Sequence, residues 1–549
     1  MSGQLCDKSQ QAASFESLSV FDNLVSSMTT RIDDVRIKHD VTEYYRYGMF
    51  SHKWEDNEPL FEQVIRMVVH ELEASPTHDK LKIFCNIVRD AGLQWAWSDT
   101  CCINKADHFV LQEALVAMFK WYEGSALTVV FLFDVLSPSR RGALMRSIWN
   151  TRAWTFQEYH ASKVVRFYTK DWTPYMNLDI PNHKESPEIV SEMEEATGVS
   201  ARALTALRPG LEDIREKLCL ASTRRTTLVE DAAYSLLGIF SMSLPVVYGE
   251  GDQALGRLLA QLLTSSGDTS ILSWTGKSGS FNSCLPTNIT VFQQFPPLHI
   301  PPVIASTQMD KIITELRASS LDLTLVMKLH DRLDEFPVAS FLGQRMRLPC
   351  LTFKLGAVTA TRNAAGRVFR AQTYALGIVE IGTEEDLSRF NSLYLVHPWL
   401  DFLLNRHPVG SVIETIPEEN TDEPSSSLGE PPSFAGSSNT PGAAPEKRTA
   451  RFASLFAFPF GGQTAARPQD TVSLRPPSSV SQEDRVIRAF QVVARLSQPF
   501  GALLLTPDTG TIAAYRRVAA ETLITVKLGE ITPAVLNKLV SSVRVLDVL

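Results

Sequence analysis

Residues 95–135 read WAWSDTCCINKADHFVLQEALVAMFKWYEGSALTVVFLFDV, and this stretch decides the fold class. Two runs rich in aromatic and β-branched residues, Trp95 to Trp97 and Leu127 to Phe133, flank a segment whose apolar residues recur at helical spacing. Asp107 is placed to cap the start of that helix, and Gly124 is placed to end it. A strand, a helix and a second strand in this order predict a parallel sheet.

Short apolar runs on both sides extend the same alternation. Gly48 to Phe50 and Val164 to Tyr168 are predicted to be further strands. A helix is predicted over residues 59–74, PLFEQVIRMVVHELEA, because its apolar residues also recur at helical spacing. The residues on the predicted apolar face are Leu60, Val64, Met67, Val68 and Leu72. The sequence therefore predicts an α/β fold with a parallel sheet and flanking helices.

The periodicity changes along the rest of the chain. Helical apolar stripes continue to about residue 270, and short alternating stretches such as LDLTLVMKL and RLPCLTFKL follow. A tract rich in Ser, Pro, Gly and Ala interrupts this second pattern and is too poor in apolar residues to order itself. The predicted boundaries are an N-terminal segment at 1–43, an α/β domain at 44–190, a helical extension at 191–270, and a β-rich C-terminal domain at 271–409 and 483–549 with a disordered insertion at 410–482.

The predicted insertion contains one apolar stretch, RFASLFAFPFGG, in a basic setting. Its aromatic residues are Phe452, Phe456, Phe458 and Phe460. Two interpretations remain open, a short docking element for a protein partner and a linker that is only locally apolar.

Composition narrows the class of partner. The 53 basic and 61 acidic residues give a net charge of −8, which favours neither nucleic acid nor a membrane surface. The longest uncharged run, Ala232 to Gly249, contains Gly238 and Pro245, so we predict a buried helix and turn and no membrane span. The N-terminus lacks a secretory signal pattern, and we therefore expect a cytoplasmic protein.

The seven cysteines are an odd and scattered set, which is typical of reduced thiols in a cytosol. Cys101 and Cys102 are adjacent and lack the spacer that lets two thiolates reach one metal ion. We therefore expect neither a metal nor a bound cofactor.

Polar residues follow three of the predicted strands. In open parallel sheets, ligands bind in the crevice at the carboxyl ends of the strands, so these residues are the candidates for a site. Ser51, His52 and Trp54 follow the first strand, Asp99 and Asn104 the second, and Arg152, Trp154 and Glu158 the third.

Trp154 and Glu158 are four residues apart, so on a helix they share one face. An indole beside a carboxylate can hold a planar base or a ribose diol. The alternative interpretation places Trp154 and Phe156 in the core and pairs Glu158 with Arg152 on the surface. Spacing alone leaves both interpretations open.

Four blocks of the sequence resemble a known family in order and spacing. YRYGMFSHKW, residues 95–135 and WNTRAWTFQEY resemble the three signature blocks of the fungal heterokaryon incompatibility (HET) domain. TRRTTLVEDAAYSLLGIFSMSLPVVYGEGDQALGRL is similar to the block that follows this domain in vegetative incompatibility proteins. Glu55 and Ala153 stand where the family usually has glycine.

The resemblance implies a function in non-self recognition and cell death after fungal cell fusion. It also implies a flavodoxin-like fold similar to Toll/interleukin-1 receptor (TIR) domains, some of which cleave NAD+ beside a glutamate four residues after a tryptophan. On this basis Glu158 would be the catalytic carboxylate and Asp99 a supporting group. His52 and Trp54 would shape the pocket, NAD+ would be a substrate, and no metal would be needed.

Two hypotheses follow from the resemblance. The first is an NAD+ glycohydrolase that is activated by self-association. The second is a non-catalytic module that binds a protein partner and nucleates an incompatibility complex, with Glu158 in a structural role.

Overall fold

The structure is a computed structural model that describes residues 3–28, 34–197, 207–293, 302–319, 321–363, 366–373, 375–399 and 481–549. The predicted insertion at 410–482 lies outside the described residues up to residue 480, as do Phe452, Phe456, Phe458 and Phe460. No helix in the described ranges is long and apolar enough to cross a membrane.

Four parallel strands form the sheet that carries the candidate site. They are β1 (Tyr47–His52), β2 (Trp95–Ser98), β3 (Leu127–Leu132) and β4 (Val165–Thr169). Their order across the sheet is β2-β1-β3-β4, and every neighbouring pair is parallel. The predicted parallel sheet with flanking helices is therefore confirmed.

Helices cover both faces of this sheet. In chain order, the helices up to the end of the sheet are α1 (Lys8–Glu16), α2 (Ser19–Met28), α3 (Asp34–Tyr44), α4 (Phe61–Val64), α5 (Pro76–Asp90), α6 (His108–Gly124), α7 (Ala143–Arg146), α8 (Ile148–Thr151) and α9 (Trp154–Ala161). The predicted bounds of α6 are confirmed, because Asp107 accepts hydrogen bonds from the backbone N–H groups of Phe109 and Val110 and the helix ends at Gly124.

The helix predicted over residues 59–74 is wrong. Only the single turn α4 and a 3-10 turn at Val69–Glu71 form there, and Leu60 and Met67 of the predicted apolar face are 45% and 42% exposed. The long crossover helix is α5, which begins at Pro76 with Ser75 as its N-cap. Serine followed by proline is a strong start signal, since proline lacks the N–H that the first turn leaves unpaired.

Two cores lie on opposite faces of the sheet because side chains along a strand alternate. On one face Phe50 packs with Phe84 of α5, and on the other Met49 packs with Met118 of α6. At the end of β1, His52 stacks on Phe50 at 4.2 Å, whereas the indole N–H of Trp149 reaches Ser51 on the α6 side. Neighbouring residues of β1 therefore belong to different environments.

Further helices follow the sheet. They are α10 (Pro187–Thr197), α11 (Ile214–Ser222), α12 (Asp231–Tyr234), α13 (Gln253–Ser266), α14 (Pro302–Ala318), α15 (Leu323–Asp334), α16 (Gln482–Leu496) and α17 (Pro533–Ser542). Buried leucines of α13 share one core with the sheet and with strands of the C-terminal region, so the described residues of these regions pack as one compact unit.

The C-terminal region is rich in β-strands, as predicted, and RLPCLTFKL lies in one of them, but the stretch LDLTLVMKL does not form the predicted strand, because it lies mostly in helix α15, which begins at Leu323 with Asp322 as its N-cap. Its strands are β5 (Ser340–Leu342), β6 (Arg345–Lys354), β7 (Val358–Asn363), β8 (Gly366–Thr373), β9 (Gly377–Gly382), β10 (Tyr394–Pro398), β11 (Phe500–Pro507), β12 (Ala514–Arg517), β13 (Ile524–Val526) and β14 (Val543–Val548). The pairings β6-β10-β11-β12-β14-β6 close into a ring, which leaves those strands few open edges. β7, β8 and β9 form a separate antiparallel sheet.

Candidate functional site

The carboxyl ends of β1 and β3 are the place where the strand order changes direction. The chain runs from β1 to β2 on one side and returns to β3 on the other side of β1. In parallel sheets such a reversal opens a crevice beyond the strand ends, because the two crossover helices lie on opposite faces. Ser51, His52 and Asp134 lie at or just beyond these ends.

Glu158 lies on α9 and is buried beneath this edge, with 6% of its surface exposed. The Ser51 hydroxyl donates a hydrogen bond to Glu158 Oε2, and the Trp149 indole donates to Ser51 Oγ at 2.8 Å. Within the described part of the chain Glu158 has no ion-pair partner. The alternative in which Glu158 pairs with Arg152 on the surface is therefore wrong, although Phe156 is a core residue as that alternative required.

The environment raises the pKa of Glu158 to about 8. Burial is the main cause, because it removes the water that would solvate the anion, and the negative charge of Asp99 adds to it. The Ser51 hydrogen bond and the Arg152 charge oppose the shift without cancelling it. A buried carboxyl with a pKa near neutrality can gain or lose a proton when a ligand binds.

Trp54 and Asp99 form a second contact at the same edge. The Trp54 indole N–H donates to Asp99 Oδ2 at 2.7 Å, and Lys105 Nζ lies 3.5 Å from the centre of the Trp54 ring. Lys105 Nζ is buried and has no hydrogen-bond partner among the described residues. Burial lowers the pKa of Lys105, and the Asp99 charge partly opposes this. The sequence analysis missed Lys105, since nothing in its spacing separates it from an ordinary loop lysine.

His52 lies on the other face of the sheet from Ser51 and Glu158. Its Nε2 atom is 3.6 Å from Glu58 Oε1, and the buried Lys80 ammonium contacts the same carboxylate. Lys80 also donates to Glu55 Oε2 at 3.1 Å. Glu55, in the position usually held by glycine, is therefore a second carboxylate partner of Lys80. The predicted site residues share one sheet edge, and the structure divides them between two faces.

The remaining predicted residues have local partners. The main chain of Arg152 forms a bridge with Arg225. Trp154 donates a hydrogen bond to the Asp231 carboxyl, which also accepts from the Tyr248 hydroxyl at 3.0 Å. Asn104 Oδ1 accepts the Ala106 N–H at 3.1 Å, which closes a local turn. Trp154 and Glu158 share α9 but have different partners.

Arg224, from the fourth sequence block, braces the turn between α8 and α9. Its guanidinium donates to Arg152 O at 3.1 Å, to Thr155 Oγ1 at 3.0 Å and to Asn150 Oδ1 at 3.2 Å. Burial lowers its pKa to about 10, and the nearby Glu158 opposes that shift. The sequence analysis did not name Arg224. The only signal for it was the resemblance of the block in which it lies.

A metal site is absent from the described residues, where no three His, Cys, Asp or Glu side chains are grouped to hold an ion. All seven cysteines are free.

Comparisons with known proteins bear on the N-terminal half of the chain. Residues 47–140 match the family model described as heterokaryon incompatibility protein (HET). The chain is 31% identical over 223 residues to vegetative incompatibility protein HET-E-1 of Podospora anserina. That match covers 39% of this chain and spans 16% of the relative's length. No solved structure matches the chain. Together with the four sequence blocks, these matches show that the chain carries a heterokaryon incompatibility domain.

Proposed function

We propose that the protein acts in fungal heterokaryon incompatibility and that its HET domain hydrolyses NAD+ at the bond between nicotinamide and ribose, with Glu158 as the catalytic residue. One observation carries the enzymatic part. Glu158 is a buried carboxyl without an ion pair among the residues that the structure describes, at the end of a parallel sheet where such folds bind ligands. A buried carboxyl of this kind lowers the stability of the fold, and carboxyls with strongly shifted pKa values are concentrated at functional sites.

The proposed reaction breaks the C1′–N bond, and the bonding electrons leave with nicotinamide. Positive charge develops on the ribosyl C1′, and a fixed carboxylate stabilises that charge more strongly in a buried site than in water. Water then adds to C1′ and releases a proton to the solvent to give ADP-ribose. The nicotinamide ring of NAD+ is itself cationic, so bound substrate favours the ionised form of Glu158 and lowers its pKa from about 8.

The TIR-like part of the proposal has topological support. The strand order β2-β1-β3-β4 agrees with the first four strands of the flavodoxin-like order. Asp99 and Trp54 would line the same edge, and Asn104, Arg152 and Trp154 would border it. His52 belongs to the opposite face, which removes it from the proposed pocket. We further propose that the protein is cytoplasmic and that self-association activates its NAD+ hydrolysis.

A second function is favoured by the closed state of the site. Glu158 is 6% exposed and is bonded to Ser51 from β1. A buried polar network of this kind can also serve only to fix the packing of α9 on the sheet. The HET domain would then be a non-catalytic interaction module.

The test is nicotinamide release from NAD+ by the purified full chain, free in solution and clustered through an antibody against a terminal tag. We expect clustered wild type to be active and Glu158→Gln to lose at least about 100-fold in kcat. Glu380→Gln is the matched control, because Glu380 is an exposed glutamate that pairs with Arg370 on β8. An inert wild type, even when clustered, rejects the enzyme and leaves the interaction module. An active wild type with an equally active Glu158→Gln rejects only the site.

A further inference from the structure

The Ser51 hydroxyl links Trp149 and Glu158 in a chain of hydrogen bonds that runs from Trp149 to Ser51 to Glu158. Trp149 and Ser51 are 2% and 1% exposed, so water does not compete for their polar groups. The indole N–H can only donate, and a hydroxyl carries a single proton. Ser51 Oγ accepts from Trp149 at 2.8 Å, and the Ser51 hydroxyl donates to Glu158 Oε2, so the indole occupies one of the two lone pairs of Ser51 Oγ on the side away from Glu158.

We infer that Trp149 is a positioning residue for the proposed reaction, because its indole N–H orients the Ser51 hydroxyl to donate to Glu158. In this orientation Glu158 Oε2 is an acceptor, which favours Oε1 as the oxygen that carries a proton on Glu158. The catalytic meaning of this arrangement rests on the proposed function, whereas the hydrogen-bond direction does not.

The Tyr122 hydroxyl is a further neighbour of Glu158. It donates its proton to the Phe50 carbonyl at 3.0 Å. A hydrogen bond from the same hydroxyl lowers the pKa of Glu158, so Tyr122 shares its single proton between the Phe50 carbonyl and the Glu158 carboxyl. Ser51 is therefore one of two hydroxyls that stabilise the Glu158 anion, and Trp149 acts on the Ser51 share.

Trp149 is itself held by the end of β3. Asp134 accepts from the Ser147 hydroxyl at 2.6 Å and from the Ile148 N–H at 2.7 Å, so it caps the short helix α8 that carries Trp149. The Trp149 ring also packs edge-on against Phe167 of β4 at 5.5 Å. The angle of the indole is thus fixed from two strands of the sheet.

The test reads the protonation of Glu158 directly. The infrared C=O stretch of the protonated carboxyl is followed through a pH titration of the full chain and assigned by its loss in Glu158→Gln. Trp149→Phe removes the N–H and keeps an aromatic ring. We expect the Glu158 pKa to rise by roughly half to one unit, because the Ser51 proton is no longer committed to the anion.

The control is Trp274→Phe, which removes another buried indole N–H, the donor to Cys284 O at 3.0 Å, far along the chain from Ser51. It should leave the Glu158 pKa unchanged. Where Trp149→Phe does not fold, benzothienylalanine at position 149 replaces the N–H with sulfur in a ring of the same shape.

A double-mutant cycle decides whether Trp149 acts through Ser51. In a Ser51→Ala background, Trp149→Phe should shift the Glu158 pKa no further. If the shift is equal in both backgrounds, or if Trp149→Phe leaves the pKa of the wild-type background unchanged, the inference is overturned. In an active enzyme, Trp149→Phe should lower kcat by about tenfold with KM changed less than twofold. If the wild-type protein does not cleave NAD+, the proposed function is rejected. The infrared titration then still tests this inference.

Discussion

Two buried glutamates lie near the same end of β1 on opposite faces of the sheet. Glu58 and Glu158 are 8% and 6% exposed, so they are equally removed from water. Glu58 contacts the Lys80 ammonium and lies 3.6 Å from His52 Nε2. Glu158 is bonded to the Ser51 hydroxyl and has no ion pair among the described residues.

The pKa values of these two carboxyls move in opposite directions. Burial by itself would raise both. For Glu58, His52 and Lys80 outweigh burial and lower the pKa to about 2. For Glu158, burial and the Asp99 charge prevail and raise the pKa to about 8. The two carboxyls differ in the charge of their neighbours and not in their burial. Glu58 is therefore ionised and stabilises the fold, whereas Glu158 has a pKa near neutrality and can exchange a proton.

The largest effect is expected from Lys80→Met, which leaves Glu58 buried without its ammonium partner. Loss of one partner of a buried ion pair costs about 3–5 kcal/mol of unfolding free energy. Urea denaturation at pH 7 measures the loss. The double variant Glu58→Leu/Lys80→Met should recover most of it, because the buried carboxylate is removed together with Lys80, and Glu55, which also loses Lys80, is 35% exposed and can be solvated. A single variant as stable as wild type would show that the cluster is solvated and that the contrast with Glu158 is smaller than the geometry indicates.

Glu158→Gln is expected to raise the free energy of unfolding by a few kcal/mol, and only at higher pH. Between about 4.5 and about 8 the folded protein keeps a proton on Glu158 that the unfolded chain has released, so wild-type stability falls as the pH rises. Glutamine has no proton to lose. The variant should therefore match wild type near pH 4 and exceed it at pH 8, as measured by thermal unfolding across pH.

Glu58→Gln serves as the opposite control for that experiment. The pKa of Glu58 is lowered to about 2, so its contribution is present above about 4.5 and is lost as the pH falls through 2. Glu58→Gln should be less stable than wild type at neutral pH. If both variants respond to pH in the same direction, the two faces do not differ as described.

Arg224→Met is expected to have a smaller effect and to lower the free energy of unfolding by about 1–3 kcal/mol. This variant leaves the Arg152 carbonyl, Thr155 Oγ1 and Asn150 Oδ1 without their donor and loosens the turn that leads into α9. The neighbouring Arg225→Met is the matched control, because Arg225 is exposed and reaches the same turn through its main chain. Equal losses in both variants would mean that general charge, not the brace, stabilises the Glu158 face.

Much of the sheet could be predicted from local signals. The four strands and the bounds of α6 depend on apolar runs, on the Asp107 cap and on Gly124, all of which act within a few residues. The helix predicted over residues 59–74 was wrong because helical spacing of apolar residues does not show whether a partner surface exists. The start of α5 at Ser75 and Pro76 was present in the sequence and lay just beyond that misleading stretch.

The sequence predicted the edge of the sheet at which the candidate site lies, but not which side chains contact one another there. Strand order alone brings Ser51 near Glu158 and Trp54 near Asp99. The partners Lys80, Lys105 and Arg224 come from distant segments, and no local pattern shows which buried charge each one meets. The alternation of β1 does separate Ser51 from His52, so their assignment to one pocket conflicted with the period of the strand itself.

The smallest effect is expected from Asp99→Asn, which removes the charge that adds to burial in raising the pKa of Glu158. Asparagine keeps an oxygen that can accept the Trp54 N–H, so the contact can persist while the charge is removed. The Glu158 pKa should fall by roughly half a unit, because charge at this range acts through a partly screened medium. Infrared titration of the carboxyl measures the shift, with the exposed Asp90→Asn as the control. An unchanged pKa would mean that burial alone holds Glu158 near neutrality, which would make the difference from Glu58 depend entirely on Lys80 and His52.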